Sequence, residues 1–385
     1  MISRLMKLRT EDIIKMIREK EGISRVELAK KTGLSKPTIS QIVNKLIHKG
    51  VIREIGYGIS KSAGGRKPVH LSFVPDFKFI LSVDIGGTKT IFSQIDLDGN
   101  ILQNEIISSE ILRSGVGLAK ELIKKLKYYI KTIGSENILG ISIGIPGTVD
   151  STTNFIKYMP SFNIGNIDLK TPLQNELKIP VIIENDVTLF AFGEYWIGSA
   201  KDYEDVFLVS IGTGIGAGLV MKSSVYKGFK GSVGEIGEMI TDWSIESKQN
   251  SYFGKLEEWF SGHSLEDFCK EKGWNENLIE FFKKAEKDKI ANERVKKGCL
   301  HLGLAFANTI ILLDPAKLII GGGIGFNQYE TIYPIIDNTL KKALPDSIYR
   351  EDILEKASLE PYGVVIGGAY LAQKELLLSE IYKTM

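Results

Sequence analysis

The stretch VDIGGTKT, Val83–Thr90, carries an apolar run with one acid, Asp84, into a Gly86–Gly87–Thr88 turn followed by Lys89. Glycines there leave the backbone bare, so its N–H groups can approach an anion closely. The stretch lacks the G-x-x-x-x-G-K spacing of a P-loop, and alone it fits a tight β-turn as well as a phosphate cradle. Its surroundings, FILSVDIGGTKTIFSQIDLDGNILQNEIIS (Phe79–Ser108), read as three successive strands with turns at Gly-Gly-Thr and Asp-Gly-Asn.

Similar units recur downstream. A helical stretch over about 115–133 precedes two strands, ILGISIGIPG and VIIEND, and a helix from Val187. DVFLVSIGTGIGAGLVM (Asp205–Met221) reads as two apolar strands around Gly212–Thr213–Gly214. A long helix then leads to LLDPAKLIIGGGIG, a buried strand entering Gly321–Gly322–Gly323. YGVVIGGAYLA (Tyr362–Ala372) reads as the last such apolar strand with a glycine cluster. GTGIGAG lacks the G-x-G-x-x-G spacing of a dinucleotide fingerprint, so each cluster alone remains ambiguous.

With 385 residues, 43% hydrophobic and 25% charged, the chain predicts two or three domains of globular type. No apolar run reaches the roughly 18 residues of a membrane span, and MISRLMKLRT has no apolar signal core. Cys269 and Cys299 form neither a C-x-x-C motif nor a disulfide framework, which fits a reducing cytoplasm. The net charge of +2 hides an asymmetry: residues 1–70 carry 16 Lys+Arg against 6 Asp+Glu, and the remainder is acidic. A basic head on an acidic body is the electrostatic pattern of a nucleic-acid-binding module attached to something else.

Three short helical patterns fill residues 10–50 of that head. In SRVELAKK, Ser24 and Glu27 have capping-box spacing, and TGLS supplies a turn at Gly33 and a cap at Ser35. Ile39, Ile42, Val43, Leu46 and Ile47 make one apolar helical face, leaving Lys36, Thr38, Gln41, Asn44 and Lys45 on the other. VIREIGYGISKSAGGRKPVHLSF follows as two strands around a basic tip with Arg66 and Lys67. The pattern predicts a winged helix-turn-helix over residues 1–73, with Ser35 and the polar face at base edges and phosphates and the wing on the backbone or minor groove. The competing reading is a solvated three-helix bundle.

Taken in order, DIGGTKT, IPGTVD, ENDV, GTGIGAG, GEIGE and LDPAKLIIGGG resemble the ROK family of repressors and sugar kinases over nearly the whole chain. The resemblance implies an α/β actin-like ATPase fold of two lobes, residues 79–190 and 191–385, behind the head. It makes Asp186 the counterpart of a general base acting on a sugar hydroxyl, where the residue pattern alone also allows a helix N-cap. Asn185, Asn163, Glu235, Glu238 and Glu257 become sugar-contacting candidates, though as solvated surface groups they would be ordinary. Gly86, Gly87, Thr88, Lys89, Gly212, Thr213 and Gly214 would face phosphates, Gly321–Gly323 adenosine, and Asp84 a Mg²⁺ accompanying ATP.

The chain departs from the family's usual zinc pattern, E-x-G-H followed by cysteines. Glu238 stands at the His position, and Lys248, Asn250 and Lys255 stand where thiols belong, so no zinc is expected. Trp243, Tyr252, Phe253, Trp259 and Phe260 offer apolar replacements for its loop. Both phosphate loops and Asp186 are kept, which leaves the ATP machinery intact on paper.

The resemblance therefore implies a sugar-responsive transcriptional regulator, a homodimer binding operator DNA through its heads and a small neutral sugar between its lobes. The alternative is an active ATP-dependent sugar kinase with an attached DNA-binding head. A nucleotide sensor without sugar is a third reading, which leaves the carboxylate and amide cluster without a purpose. Neither the sugar, the operator, nor the sign of the sugar's effect is written in the sequence.

Overall fold

Three helices and two wing strands, with the short strand Ile23–Ser24 paired beside them, build the head of this computed structural model, which describes residues 4–57, 67–113, 117–150, 153–222, 224–242 and 256–383. They are α1 (Arg4–Glu19), α2 (Arg25–Thr32), α3 (Lys36–His48), β1 (Ile52–Tyr57) and β2 (Val69–Phe73). Ser24 and Glu27 close the expected capping box: Ser24 N donates to Glu27 Oε2 at 2.9 Å, and Glu27 N to Ser24 Oγ at 3.3 Å. Gly33 ends α2 at φ +68°, and Ser35 caps α3 by accepting from Thr38 N. Ile39, Ile42, Val43 and Leu46 are buried, as their spacing requires. The wing strands pair antiparallel, with Ile52 opposite Phe73. The wing tip, including Arg66, lies outside the described residues.

The body holds two five-stranded sheets. In the first, β3 (Phe79–Ile85), β4 (Lys89–Ile95) and β5 (Ile101–Ser108) form an antiparallel meander. After α4 (Leu118–Ile133), β6 (Ile138–Ile145) and β7 (Val181–Asn185) add in parallel on the other side of β3. Between β6 and β7, Thr148–Val149, Ile156–Met159 and Ile164–Ile167 make a small antiparallel sheet.

The chain crosses to the second sheet along α5 (Asp186–Ile197). There β8 (Val206–Ile211) and β9 (Ile215–Met221) form a hairpin. The long α6 (Lys289–Leu313) leads to β10 (Lys317–Gly321), parallel to β8, and then the short α7 (Gly322–Asn327). Helix α8 (Tyr329–Ala343) and β11 (Leu354–Lys356) precede the last helix, α9 (Gly363–Ile381). This is the expected two-lobed α/β arrangement.

Two features differ from the sequence reading. YGVVIGGAYLA is not a strand with a terminal glycine turn but the start of α9. Its glycines serve helix contact: a Cβ on Gly367 would stand 1.7 Å from Leu189 O, and one on Gly193 would stand 2.3 Å from Gly363 O. The backbones of α5 and α9 meet because side chains are missing there. The N-cap of α5 is Asn185, not Asp186, which is the first helical residue.

Head and body share one apolar cluster running from Ile13, Ile39 and Leu46 through Phe73 and Ile80 to Leu377 and Ile381. Arg18 adds polar contacts, donating to Asp98 at 2.8 Å and to Leu97 O, with its guanidinium 4.6 Å from the Phe73 ring centroid. The C-terminal helix therefore touches both the first sheet and the head.

Candidate functional site

Strand ends deliver the three glycine turns to one place. The turn after β3 is closed by Gly86 N donating to Lys89 O at 2.9 Å. Ser109 Oγ donates to Gly86 O at 2.8 Å, and Arg113 donates to Gly87 O. The turn after β8 is closed by Gly212 N donating to Gly214 O at 2.9 Å. A Cβ on Gly87 would lie 3.9 Å from Thr213 Oγ1, and one on Gly212 would lie 3.8 Å from Gly323 N. Bare backbone from both sheets thus faces one space. Thr88, Lys89 and Thr213 are exposed at its rim, and Asp84 sits half-buried below.

Asp186 opens α5 beside these turns. Its Oδ1 accepts from Val187 N at 2.9 Å and from Asn185 Nδ2 at 3.2 Å. Burial, joined by the charge of Glu235, raises the Asp186 carboxyl to about 7, against the opposing amide bonds. Asn185 is committed locally: Oδ1 accepts from Thr188 N at 2.9 Å and Nδ2 donates to Gly147 O at 3.1 Å.

The glutamates come from the second lobe. Glu257 is wedged between glycines, with Oε2 accepting from Ile215 N at 3.0 Å, and a Cβ on Gly214 would stand 3.0 Å from its Oε1. Glu235 accepts from Thr148 Oγ1 of the first lobe at 3.3 Å. Both carboxyls are pushed up, mainly by burial, with the charge of Glu238 adding to each. The charge of Glu235 thus reaches Asp186 across the lobes and Glu257 within its own. Beside Glu235 lies a cavity of about 30 Å³ lined also by Thr148, Asn185, Gly216 and Gly234. That volume is enough for water and too small for a sugar.

Asn163 does not join this group. It ends the Pro160–Phe162 turn at φ +50° and is exposed, with no hydrogen bond to the cluster among the described residues. Ser161, two residues earlier, is the nearer group: a Cβ on Gly87 would lie 3.2 Å from its Oγ.

The head's polar face is partly engaged. Lys36, Gln41, Asn44 and Lys67 are exposed, while Ser35 and Thr38 share a hydroxyl contact of 2.8 Å. Arg25 donates to Asn44 Oδ1 at 2.9 Å and to Glu54 at 2.8 Å. Lys45 is turned onto Tyr382.

Three groups that sequence reasoning missed hold the site. Glu194, fully buried on α5, accepts from Ser358 N and Leu359 N, each at 2.8 Å. That fixes the loop presenting Glu360, whose Oε1 accepts from Gly322 N at 2.6 Å. Asp84 is held well above the usual carboxylate range by burial and the charges of Asp186 and Glu360. His301 is the third, stacked 4.2 Å from Trp259 with Nδ1 2.8 Å from Thr241 Oγ1. These contacts flank the segment where Trp243, Lys248, Asn250, Tyr252, Phe253 and Lys255 fall, all outside the described residues. Among the described residues no three His, Cys, Asp or Glu side chains are grouped so as to hold a metal ion.

Known proteins match this arrangement along its length. Residues 6–53 match a winged helix-turn-helix DNA-binding domain. The xylose repressor of Bacillus subtilis (strain 168) is 27% identical over 343 residues, covering 88% of this chain and 87% of the repressor. The DNA-binding transcriptional dual regulator NagC of Escherichia coli (strain K12) is 26% identical over 330 residues, covering 82% and 80%. A crystal structure of a ROK family transcriptional regulator, a homolog of the E. coli MLC protein, superposes with a TM-score of 0.85 at 24% identity. It covers 98% of this chain and 99% of its own, which shows a shared fold from head to C-terminal helix. With residues 80–375 matching the family as a whole, the chain belongs to the ROK family.

Proposed function

We propose that this protein is a sugar-responsive transcriptional repressor. Its winged helix-turn-helix binds operator DNA, and a small neutral sugar binds between the lobes. The carrying observation is that Asp186 from one lobe and Glu235 and Glu257 from the other share a cleft, in a chain whose head is joined to that body through α9. Carboxylates accept hydrogen bonds from vicinal hydroxyls, and clustered carboxylates repel sugar phosphates. Relatives that bear the names xylose repressor and NagC support the regulatory reading and put pentoses and amino sugars first among ligands to try. Dimerisation through paired half-sites, with Ser35, Lys36, Thr38, Gln41 and Asn44 toward the groove, belongs to the same proposal.

A second reading, an ATP-dependent sugar kinase, is favoured by one observation: Asp186 at about 7 is matched to general-base work near neutrality. The Glu360 carboxyl group already seated on Gly322 N opposes it.

The test is operator release. A duplex selected from a random-sequence pool, labelled for fluorescence anisotropy, is titrated with the full chain while neutral sugars, D-xylose and N-acetylglucosamine first, are added. One sugar should change operator affinity by about 5- to 150-fold, the range of ordinary allosteric coupling. Asp186→Asn and Glu235→Gln should blunt that change. If no sugar moves the curve, or both variants respond like the wild type, the cleft is not the sensor.

A further inference from the structure

We infer that Glu360 closes this cleft to nucleoside triphosphates: its carboxyl group takes the Gly322 amide where the three glycine turns meet, so the chain itself fills one donor position of the cradle. The inference rests on the repressor reading above and specifies which of the cleft's two compartments is open to ligand.

The geometry leaves little room for exchange. Gly322 has φ +81°, and a Cβ there would stand 2.6 Å from Ile211 N and 2.7 Å from Ser210 Oγ, so the turn cannot swing toward β8 to offer a different amide. Glu360 is equally constrained. The residues before it are held by Glu194, whose carboxylate also accepts from Ser199 N at 2.8 Å and Ser358 Oγ at 3.0 Å. The residues after it run directly into α9, whose first turns are locked against α5. Both flanks of Glu360 are thus anchored in the core.

Electrostatics act in the same direction. Glu360 and Asp186 both act on the buried carboxyl of Asp84, so this end of the cleft is already crowded with acidic groups before any ligand enters. Arg113 reaches the rim but is turned onto Gly87 O. Displacing Glu360 would leave a half-buried carboxylate without its amide donor, a cost a phosphate must offset before gaining anything. The glycine spacing that sequence motifs detect is therefore preserved while its donor is occupied.

Calorimetric titration of the full chain with magnesium and AMP-PNP, a non-hydrolysable ATP analogue, tests this. Wild-type protein should give no saturable heat. Glu360→Ala, which frees the amide, should bind roughly tenfold more tightly or better. Glu360→Gln, which keeps a donor-accepting oxygen but removes the charge, should fall between them. Thermal melts establish that each variant is folded, and if the alanine variant does not fold, the glutamine variant decides alone. Saturable micromolar binding by the wild type, or variants that gain no affinity, would overturn the proposal. Sugar-dependent operator release, measured on the same wild-type preparation, separates the outcomes. Release with nucleotide binding sinks only the role of Glu360, and no release with nucleotide refusal sinks only the sensor reading.

Discussion

Lys45, on the polar face of α3, holds its ammonium 3.8 Å from the ring centroid of Tyr382, just beyond the end of α9. Burial and the charge of Lys49 lower the Lys45 ammonium from its ordinary value. The same end of the chain binds the head twice more: Tyr382 OH lies 2.5 Å from Thr10 Oγ1, and Lys49 Nζ donates to Lys383 O at 3.1 Å. Helix α9 begins three residues after Glu360, and at 1.5 Å per residue its length of about 28 Å runs from the cleft to the head. A shift of this rod when the lobes part has a direct outlet at Lys45.

Tyr382→Ala should therefore free Lys45 for phosphate. Operator affinity should rise about two- to fivefold, the equivalent of one exposed cation–π contact, and the sugar-dependent change should shrink. Lys45→Ala should weaken binding across sequences and flatten its salt dependence. Anisotropy at several salt concentrations reads both effects. Unchanged affinity and unchanged sugar response in Tyr382→Ala would remove α9 from the coupling.

The raised Asp186 carboxyl makes a pH prediction whose sign is the reverse of a salt-bridged aspartate. The folded protein holds this proton up to about pH 7, whereas the unfolded chain releases it near the ordinary aspartate value of 3.8. The folded state therefore binds more protons between those values, and stability falls as pH rises through that window. Asp186→Asn removes the titration. Its stability advantage over wild type should grow from pH 4.5 to 7.5, reaching about 1–2 kcal/mol, discounted because the side chain keeps some solvent contact. Urea unfolding at four or five pH values measures it, and parallel curves would mean Asp186 titrates normally.

Local signals carried most of what was legible in advance. The head announces itself through Ser24, Glu27, Gly33 and Ser35, whose effects act within one helical turn. The turns at Gly86 and Gly212 were legible because bare backbone between apolar strands has few other uses. Helix α9 is hidden in the sequence because its buried half is apolar all round, so Tyr362–Ala372 has no 3.6-residue stripe to distinguish it from a core strand. Glu360 and Glu194 gave no signal at all. Their partners are 38 and 164 residues away, and their meaning exists only after folding.

Glu194 offers a sharp stability test. It is completely buried, and its carboxylate accepts from Ser199 N, Ser199 Oγ, Ser358 N, Ser358 Oγ and Leu359 N. Glu194→Ala strands these donors and leaves a void, so the loss should be about 3–5 kcal/mol. Glu194→Gln keeps the shape but turns part of the acceptor set into donors, and should cost about half as much. Chemical denaturation gives the ranking, and an alanine variant within 1 kcal/mol of wild type, about the ordinary cost of a point mutation, would mean that ordered water replaces the carboxylate.

Gly367 tests whether the α5–α9 contact is as tight as the backbone geometry requires. An alanine methyl there would lie 1.7 Å from Leu189 O and 2.6 Å from Leu189 C, atoms of helical backbone that cannot rotate away. The helices must separate, opening the packing that also fixes Glu360 and Asp186 at opposite sides of the cleft. Gly367→Ala should destabilise the protein by about 3 kcal/mol or more, against the slight gain expected from Gly→Ala in an unobstructed helix. Gly273→Ala is a poor control because its φ of +69° adds strain of its own, whereas Gly323→Ala meets nothing within 4 Å and has no positive φ. Midpoints of thermal unfolding for Gly367→Ala and Gly323→Ala should therefore diverge by many degrees. Similar midpoints would show that α5 and α9 have slack, and that the cleft's two walls are not rigidly joined.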